Sequence, residues 1–91
     1  MMLKDFIAAM PTDQREAFAA RCDTTLGHMN NVMYGYKPCS PLLAALLEQV
    51  TGGKVKRWDL RPDDWHRIWP ELIGADGAPA VPAQEEVRDA A

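Results

Sequence analysis

Residues that stop helices recur along this chain and divide it into short segments. Pro11, Gly35, the Gly52–Gly53 pair and Pro70 each follow an apolar helical pattern, and Asp23–Thr24 interrupts another. Proline lacks the amide hydrogen that a helix interior needs, and glycine favours the backbone conformation that ends helices. A chain of 91 residues divided in this way predicts one small all-α domain of four or five short helices.

The apolar spacing between these breaks is typical of helices. In residues 3–10 the apolar side chains recur at i, i+3, i+4 and i+7, which places them on one helix face. The same reasoning predicts helices over residues 3–10, 12–22, 25–34, 41–51 and 62–69. Hydroxyl side chains satisfy the free amide hydrogens at helix N-termini, so we expect N-caps at Thr12, Thr25 and Ser40.

Two segments depart from the helical pattern. Residues 54–58 alternate polar and apolar side chains, which predicts a short strand or an extended segment. From Gly74 onward the chain is rich in Ala, Pro, Gly and Glu, which predicts a flexible tail with at most a frayed helix over 84–90. We therefore expect a domain over residues 1–72 and an acidic tail over 73–91.

Charge is distributed unevenly along the chain, whose formal net charge is −3. Residues 1–70 hold nine Lys or Arg and eight Asp or Glu side chains, whereas residues 71–91 hold five acidic side chains and only Arg88. The predicted domain is therefore slightly basic. Because cations supply much of the affinity of proteins for DNA, this is a weak electrostatic signal for a DNA-binding protein.

The second and third predicted helices, joined by about three residues, have the arrangement of a helix-turn-helix. In the third, Leu26, Met29, Val32 and Met33 cluster on one side, and Gly27, Asn30, Asn31 and Tyr34 cluster on the other. Asparagine can form two hydrogen bonds with adenine in the major groove, so we predict that the second group reads DNA bases.

Contacts with DNA phosphates must come from residues beside this polar face. Arg15 lies at the start of the second helix, near backbone amides that also favour a phosphate. Tyr36 and Lys37 follow the third helix, and Thr25 and His28 lie at its beginning. The predicted phosphate-contacting residues are Arg15, Thr25, His28, Tyr36 and Lys37.

Two stretches of the chain carry a further signal: EAFAARCDTTLGHMNNVMYG over residues 16–35 and LLEQVTGGKVKRWDLRPDDW over residues 46–65. Both resemble the YdaS-like branch of the Cro superfamily. The second is the more specific, because it combines Thr-Gly-Gly, a basic run and Asp-Leu-Arg-Pro-Asp. The resemblance covers roughly residues 3–65.

This resemblance implies a lambda-repressor/Cro-like fold of four or five helices that binds double-stranded operator DNA, usually as a homodimer. Members are small prophage regulators, some of them in toxin–antitoxin loci. By position, the resemblance places Leu26, Gly27, Asn30 and Asn31 among base-reading residues and Arg15 at a phosphate contact. Asp23 stands where glycine is common in the turn, and Leu26 stands where glutamine is frequent; Leu26 could contact a thymine methyl group.

Trp58, Trp65 and Trp69 allow two interpretations. Tryptophan is favoured at protein interfaces, so these side chains could form a dimer or partner surface within residues 54–72. They could instead form a C-terminal core. A protein-interaction module that keeps the fold without binding DNA is the alternative function. The acidic balance of the chain and the absence of Lys or Arg from the exposed side of the third helix favour it.

Other function classes find little support in the sequence. Cys22, His28, Cys39 and His66 lack the close spacing of metal ligands, and no glycine-rich phosphate loop or nucleophile–base motif is present. No apolar run approaches the length of a membrane span. We therefore expect a bacterial cytoplasmic protein at the nucleoid, without a cofactor, a metal, a small-molecule substrate or an enzymatic activity.

Overall fold

The computed structural model describes residues 1–82 and contains only helices as regular elements in that range. Six are α-helices: α1 (Leu3–Ala8), α2 (Arg15–Arg21), α3 (Leu26–Met33), α4 (Pro41–Val50), α5 (Arg57–Leu60) and α6 (Trp65–Ile68). Two short 3-10 turns cover Thr12–Gln14 and Pro70–Leu72. The prediction of a small all-α domain is confirmed. No helix in the described range has the length and apolar content needed to cross a bilayer.

The predicted caps of α3 and α4 are confirmed. The hydroxyl groups of Thr25 and Ser40 each accept a hydrogen bond of 3.1 Å, from the amides of His28 and Leu43 respectively. At the other end of α3, Gly35 adopts a φ of +83°, which residues with a side chain rarely tolerate. Gly35 thus follows the C-cap Tyr34 and ends the helix there, as the sequence predicts.

The predicted cap at Thr12 is wrong. Thr12 begins a 3-10 turn that follows Pro11, and its side chain makes no capping hydrogen bond. Helix α2 begins only at Arg15, whose guanidinium donates to the carbonyl oxygen of Met10 from Nε at 3.2 Å and from Nη2 at 3.1 Å. The tight turn and this side-chain contact connect α1 to α2 without a hydroxyl cap.

A single apolar cluster packs α1 to α4 together. Most of its side chains come from one face of each helix, as the apolar spacing predicts, and three come from outside the helices: Cys22 after α2, Cys39 before α4 and Val55 after α4. The buried members are Leu3, Ile7, Phe18, Ala19, Cys22, Met29, Cys39, Leu43, Ala44, Leu47 and Val55. Phe6 packs against Phe18 with ring centroids 5.4 Å apart. Burial of these side chains removes apolar surface from water and fixes the position of α3 relative to α2.

The strand considered for residues 54–58 does not form. Val55 is fully buried, and its amide donates to the Thr51 hydroxyl at 3.1 Å. The amide of Lys56 donates to the Asp59 carboxylate at 3.0 Å, which starts α5 at Arg57. The alternating pattern therefore reflects one buried valine in a helix-to-helix connection, because the described chain offers no second strand to pair with.

Ion pairs hold α5 and α6 to the rest of the domain. One carboxylate oxygen of Glu48 accepts from the Arg57 amide at 2.8 Å and from Arg57 Nε at 3.2 Å. Arg61 forms two hydrogen bonds with Asp64, at 3.0 and 2.7 Å, and also donates to the Cys39 carbonyl oxygen. These contacts join the C-terminal helices to α4 and to the loop before it.

The described part of the acidic tail forms turns. The Ala75 amide donates to the Leu72 carbonyl at 3.0 Å, and the Ala78 amide donates to the Ala75 carbonyl at 2.9 Å. Farther along, Pro79 lines a cleft together with Trp58. The frayed helix predicted over residues 84–90 lies outside the described residues.

Replacement of Glu48 tests whether its carboxylate holds α5 in place. We expect Glu48→Ala to lower the free energy of unfolding by about 1–3 kcal/mol, because two donors of Arg57 lose their acceptor. The measurement is urea unfolding followed by circular dichroism. Gln49→Ala, an exposed neighbour on the same helix, is the matched control and should change the free energy by less than about 0.5 kcal/mol. Equal effects of the two variants would contradict this role.

Candidate nucleic-acid interface

The turn between α2 and α3 depends on an unusual backbone conformation. Asp23 has a φ of +61° and is the one residue other than glycine with positive φ in the described chain. The Thr24 amide donates back to the Ala19 carbonyl at 3.1 Å, and the Asp23 amide donates to the Ala20 carbonyl at 3.0 Å. Glycine usually provides the left-handed residue that ends a helix in this way. Asp23 stands at that position in the turn and adopts the same backbone conformation.

Helix α3 has one apolar face and one polar face. Met29 is fully buried, and Leu26, Val32 and Met33 are partly buried against the core. The opposite face carries the residues at i, i+3, i+4 and i+7 from its first turn: Gly27, Asn30, Asn31 and Tyr34. Gly27, Asn31 and Tyr34 are exposed, and Asn30 is half-buried.

This arrangement brings together four of the five predicted base-reading residues. The fifth, Leu26, lies at the border between the two faces and is partly buried against the core. The outward face is a continuous polar surface about two helical turns long, without a charged residue in α3. Amide side chains are its principal hydrogen-bonding groups.

The predicted phosphate contacts lie in different environments. Tyr36 is 77% exposed and Lys37 is exposed, and both their amides donate to the Asn31 carbonyl, at 2.8 and 3.1 Å. His28 is exposed at the beginning of α3, whereas the Thr25 hydroxyl is occupied as its N-cap. Two positions therefore present side chains at the C-terminal end of α3, and two at its N-terminal end.

Arg15 is less available than the sequence indicates. Its side chain is half-buried, and two of its guanidinium nitrogens bond to the Met10 carbonyl. In this conformation Arg15 connects α1 to α2. Its contact with a phosphate stays a prediction.

Lys4 is a cation beside α3 that was not among the residues predicted from the sequence. The Nζ atom of Lys4 lies 5.8 Å from the centroid of the Tyr34 ring, at the C-terminal end of α3. Lys4 and Lys37 also line one cleft of about 460 Å³ between α1, α3 and the loop that follows α3. No sequence signal identifies this pairing, because only the folded chain brings residue 4 near residue 34.

The three tryptophans are not equivalent. Trp65 is 1% exposed, and its ring packs against that of Trp58 with centroids 5.7 Å apart. Trp69 lies beneath the Arg57 guanidinium, 5.2 Å from ring centroid to Cζ. Trp58 and Trp69 are half-buried. The prediction of a partner surface therefore needs correction at Trp65, which is enclosed within its own chain.

Both cysteines are buried thiols. Burial raises the pKa of Cys22, and it raises the pKa of Cys39 to about 11 despite the opposing effect of the nearby Arg61 charge. In residues 1–82 no three His, Cys, Asp or Glu side chains are placed to hold a metal ion. Neither thiol has the exposed, low-pKa environment of a reactive cysteine.

A curated protein named "Prophage transcriptional regulatory protein", from Escherichia coli (strain K12), is 36% identical over 61 residues. The alignment covers 67% of this chain and 92% of that protein. The chain belongs to the family of this prophage transcriptional regulator. No protein-family model matches the chain. The predicted class, a prophage transcriptional regulator, is thereby supported, and the relative's name describes regulation rather than catalysis.

The conformation of Asp23 predicts an unusual stabilising substitution. We expect Asp23→Gly to raise the free energy of unfolding by about 1 kcal/mol, because glycine adopts positive φ without the side-chain clash. Thermal unfolding measures the change. Asp13→Gly, in the 3-10 turn before α2, is the control and should destabilise the protein. A loss of stability in both variants would show that the turn does not strain Asp23.

Proposed function

We propose that this regulator is a Cro-like, sequence-specific repressor that places α3 in the major groove of operator DNA in a prophage or toxin–antitoxin locus. The observation that carries the proposal is the outward face of α3, where Gly27, Asn30, Asn31 and Tyr34 lie opposite the buried Met29. A helix with this division of faces, second in a helix-turn-helix, has the form of a recognition helix.

In this proposal the asparagines read bases. Asn31 projects from the exposed middle of α3, and Asn30 lies beside it. An asparagine amide can donate to N7 and accept from N6 of adenine in the same plane, which discriminates against other bases by about 1–3 kcal/mol. Leu26 would make an apolar contact with a base at the N-terminal end of the outward face of α3. Tyr34 would contact a base at the C-terminal end of this face.

Phosphate contacts flank the base-reading face. Tyr36, Lys37 and Lys4 would contact the DNA backbone beyond the C-terminal end of α3, where their side chains are exposed. Thr25 and His28 would contact it near the N-terminal end, and Arg15 would do so beside α2. Such contacts set the position of the helix and supply affinity that does not depend on sequence.

A homodimer is part of the proposal, because operators with two half-sites need two recognition helices about one DNA turn apart. We place the contact between copies within residues 54–72. Trp58 and Trp69 are the candidate contact residues, since each ring is half-buried and Trp65 is enclosed. The protein would act at the nucleoid in the bacterial cytoplasm, and no cofactor or small-molecule substrate enters the proposed mechanism.

A second candidate is a protein-interaction module on the same fold. The absence of Lys and Arg from α3 favours it, because most DNA-binding surfaces carry these cations at the groove. This alternative predicts no sequence-specific binding of DNA. A single set of binding measurements therefore separates the two candidates.

Replacement of both asparagines tests the repressor proposal. We expect Asn30→Ala with Asn31→Ala to weaken binding to the duplex upstream of the protein's own gene by at least about tenfold, because the adenine contacts are lost. Fluorescence anisotropy at low and moderate salt measures the affinity against a scrambled duplex. Gln49→Ala, exposed on α4, should bind as the wild type does. No preference for any duplex at low salt would instead support the interaction module.

The salt dependence of binding tests the contribution of Lys4. We expect Lys4→Ala to reduce the slope of log affinity against log salt by about 1, because one phosphate contact and its released counterion are lost. Affinity should fall for specific and scrambled duplexes alike. Lys54→Ala provides the matched control, since Lys54 is exposed and lines a different cleft. An unchanged slope for Lys4→Ala would remove Lys4 from the interface.

A further inference from the structure

We infer that α3 reads an A·T base pair whose thymine methyl group packs against Gly27, and that Gly27 is therefore a specificity-determining residue. This inference rests on the proposed function, in which α3 enters the major groove. It assigns a chemical identity to the base pair at one end of the helix.

Gly27 is the glycine that the fold itself does not explain. The chain has six glycines, all in the described range, and five of them have positive φ. Gly27 lies inside α3 with an ordinary helical backbone. A Cβ atom added there would meet only the Thr25 hydroxyl oxygen, at 4.0 Å, which is ordinary contact. Alanine would fit this position and favour the helix more strongly.

The remaining reason for a glycine is an approach from outside the chain. Gly27 is exposed on the outward face of α3, in the first turn of the helix. In helix-turn-helix complexes the first turns of the recognition helix contact the base edges. The missing side chain lets a base edge approach the helix backbone closely there, with Asn30 and Asn31 three and four residues farther along the same face. A small apolar group is the chemistry that packs against a bare glycine Cα.

The composition of α3 selects the base pair. Guanine is most often read by Arg or Lys, and the amino group of cytosine is accepted by Asp or Glu. Helix α3 contains none of these residues. Its amides suit adenine N6 and N7, and the partner of adenine carries the one methyl group in the major groove. The amide side chains and the bare glycine of this face therefore both match an A·T pair.

Methyl-group removal gives a direct test with the full-length protein. A randomised duplex library first identifies the preferred half-site, which we expect to contain A·T pairs at its centre. Each thymine of that duplex is then replaced singly by deoxyuridine, which differs only by the methyl group. For Gly27→Ala we expect stability at least equal to that of the wild type in thermal unfolding. Its affinity for the thymine duplex should fall about tenfold.

One deoxyuridine position should restore most of that loss in Gly27→Ala, because the space of the removed methyl accepts the alanine Cβ. The same replacement should weaken binding by the wild type several-fold. His28→Ala, the adjacent exposed residue in α3, is the control, and no deoxyuridine position should rescue it.

Several results would overturn the inference while leaving the repressor proposal in place. These are wild-type affinity of Gly27→Ala for the thymine duplex, an absence of rescue at every deoxyuridine position, or selection of G·C pairs by the wild type. A wild-type protein that selects no sequence from the library would overturn both the inference and the proposed function. The two failures are therefore distinguishable.

Discussion

The direction of α3 depends on the reversal of the backbone at Asp23. The chain leaves α2 through a left-handed residue, and the returning amide of Thr24 closes the helix on Ala19. Positive φ costs a residue with a side chain about 1–2 kcal/mol, whereas full burial of a side chain such as Met29 stabilises by about 1.5–3 kcal/mol. Burial of Met29 is therefore large enough to offset strain of this size at Asp23. The same reversal exposes Asn31, so packing and the candidate interface share one cause.

Residues 46–65, the stretch with the more specific family resemblance, hold the helices together. In residues 46–65, Glu48 binds Arg57, the Thr51 hydroxyl binds the Val55 amide, and Arg61 joins Asp64 to the loop before α4. These contacts pair polar groups that would otherwise lose hydrogen bonds on burial. The stretch therefore supports the fold, whereas the proposed function depends on α3, where the polar side chains face outward.

In the proposed interface, the residues that would supply affinity and those that would supply specificity lie in different places. Helix α3 contains no Lys, Arg, Asp or Glu. Its amides can distinguish bases, but they supply no electrostatic attraction to the DNA phosphates. The nearby cations, Lys4 and Lys37, lie at one end of the helix. Because few cations flank α3, binding of this kind would have a shallow dependence on salt and would need a second copy for affinity.

Local signals in the sequence determined most of the helices. Caps at Thr25 and Ser40, the stop at Gly35 and the division of α3 into two faces are short-range features, because each depends on residues within about one or two turns. The same local view failed at Thr12, where a 3-10 turn replaced the cap.

Only the tertiary structure decided which side chains are free to bind a partner. It enclosed Trp65, turned Arg15 toward the Met10 carbonyl, and placed Lys4 beside Tyr34. It also made residues 54–58 a connection around a buried Val55 instead of a strand. Each outcome depends on packing between elements or on turn geometry that residue spacing does not encode. The sequence by itself therefore determined the two faces of α3, and packing across the domain decided what surrounds the outward one.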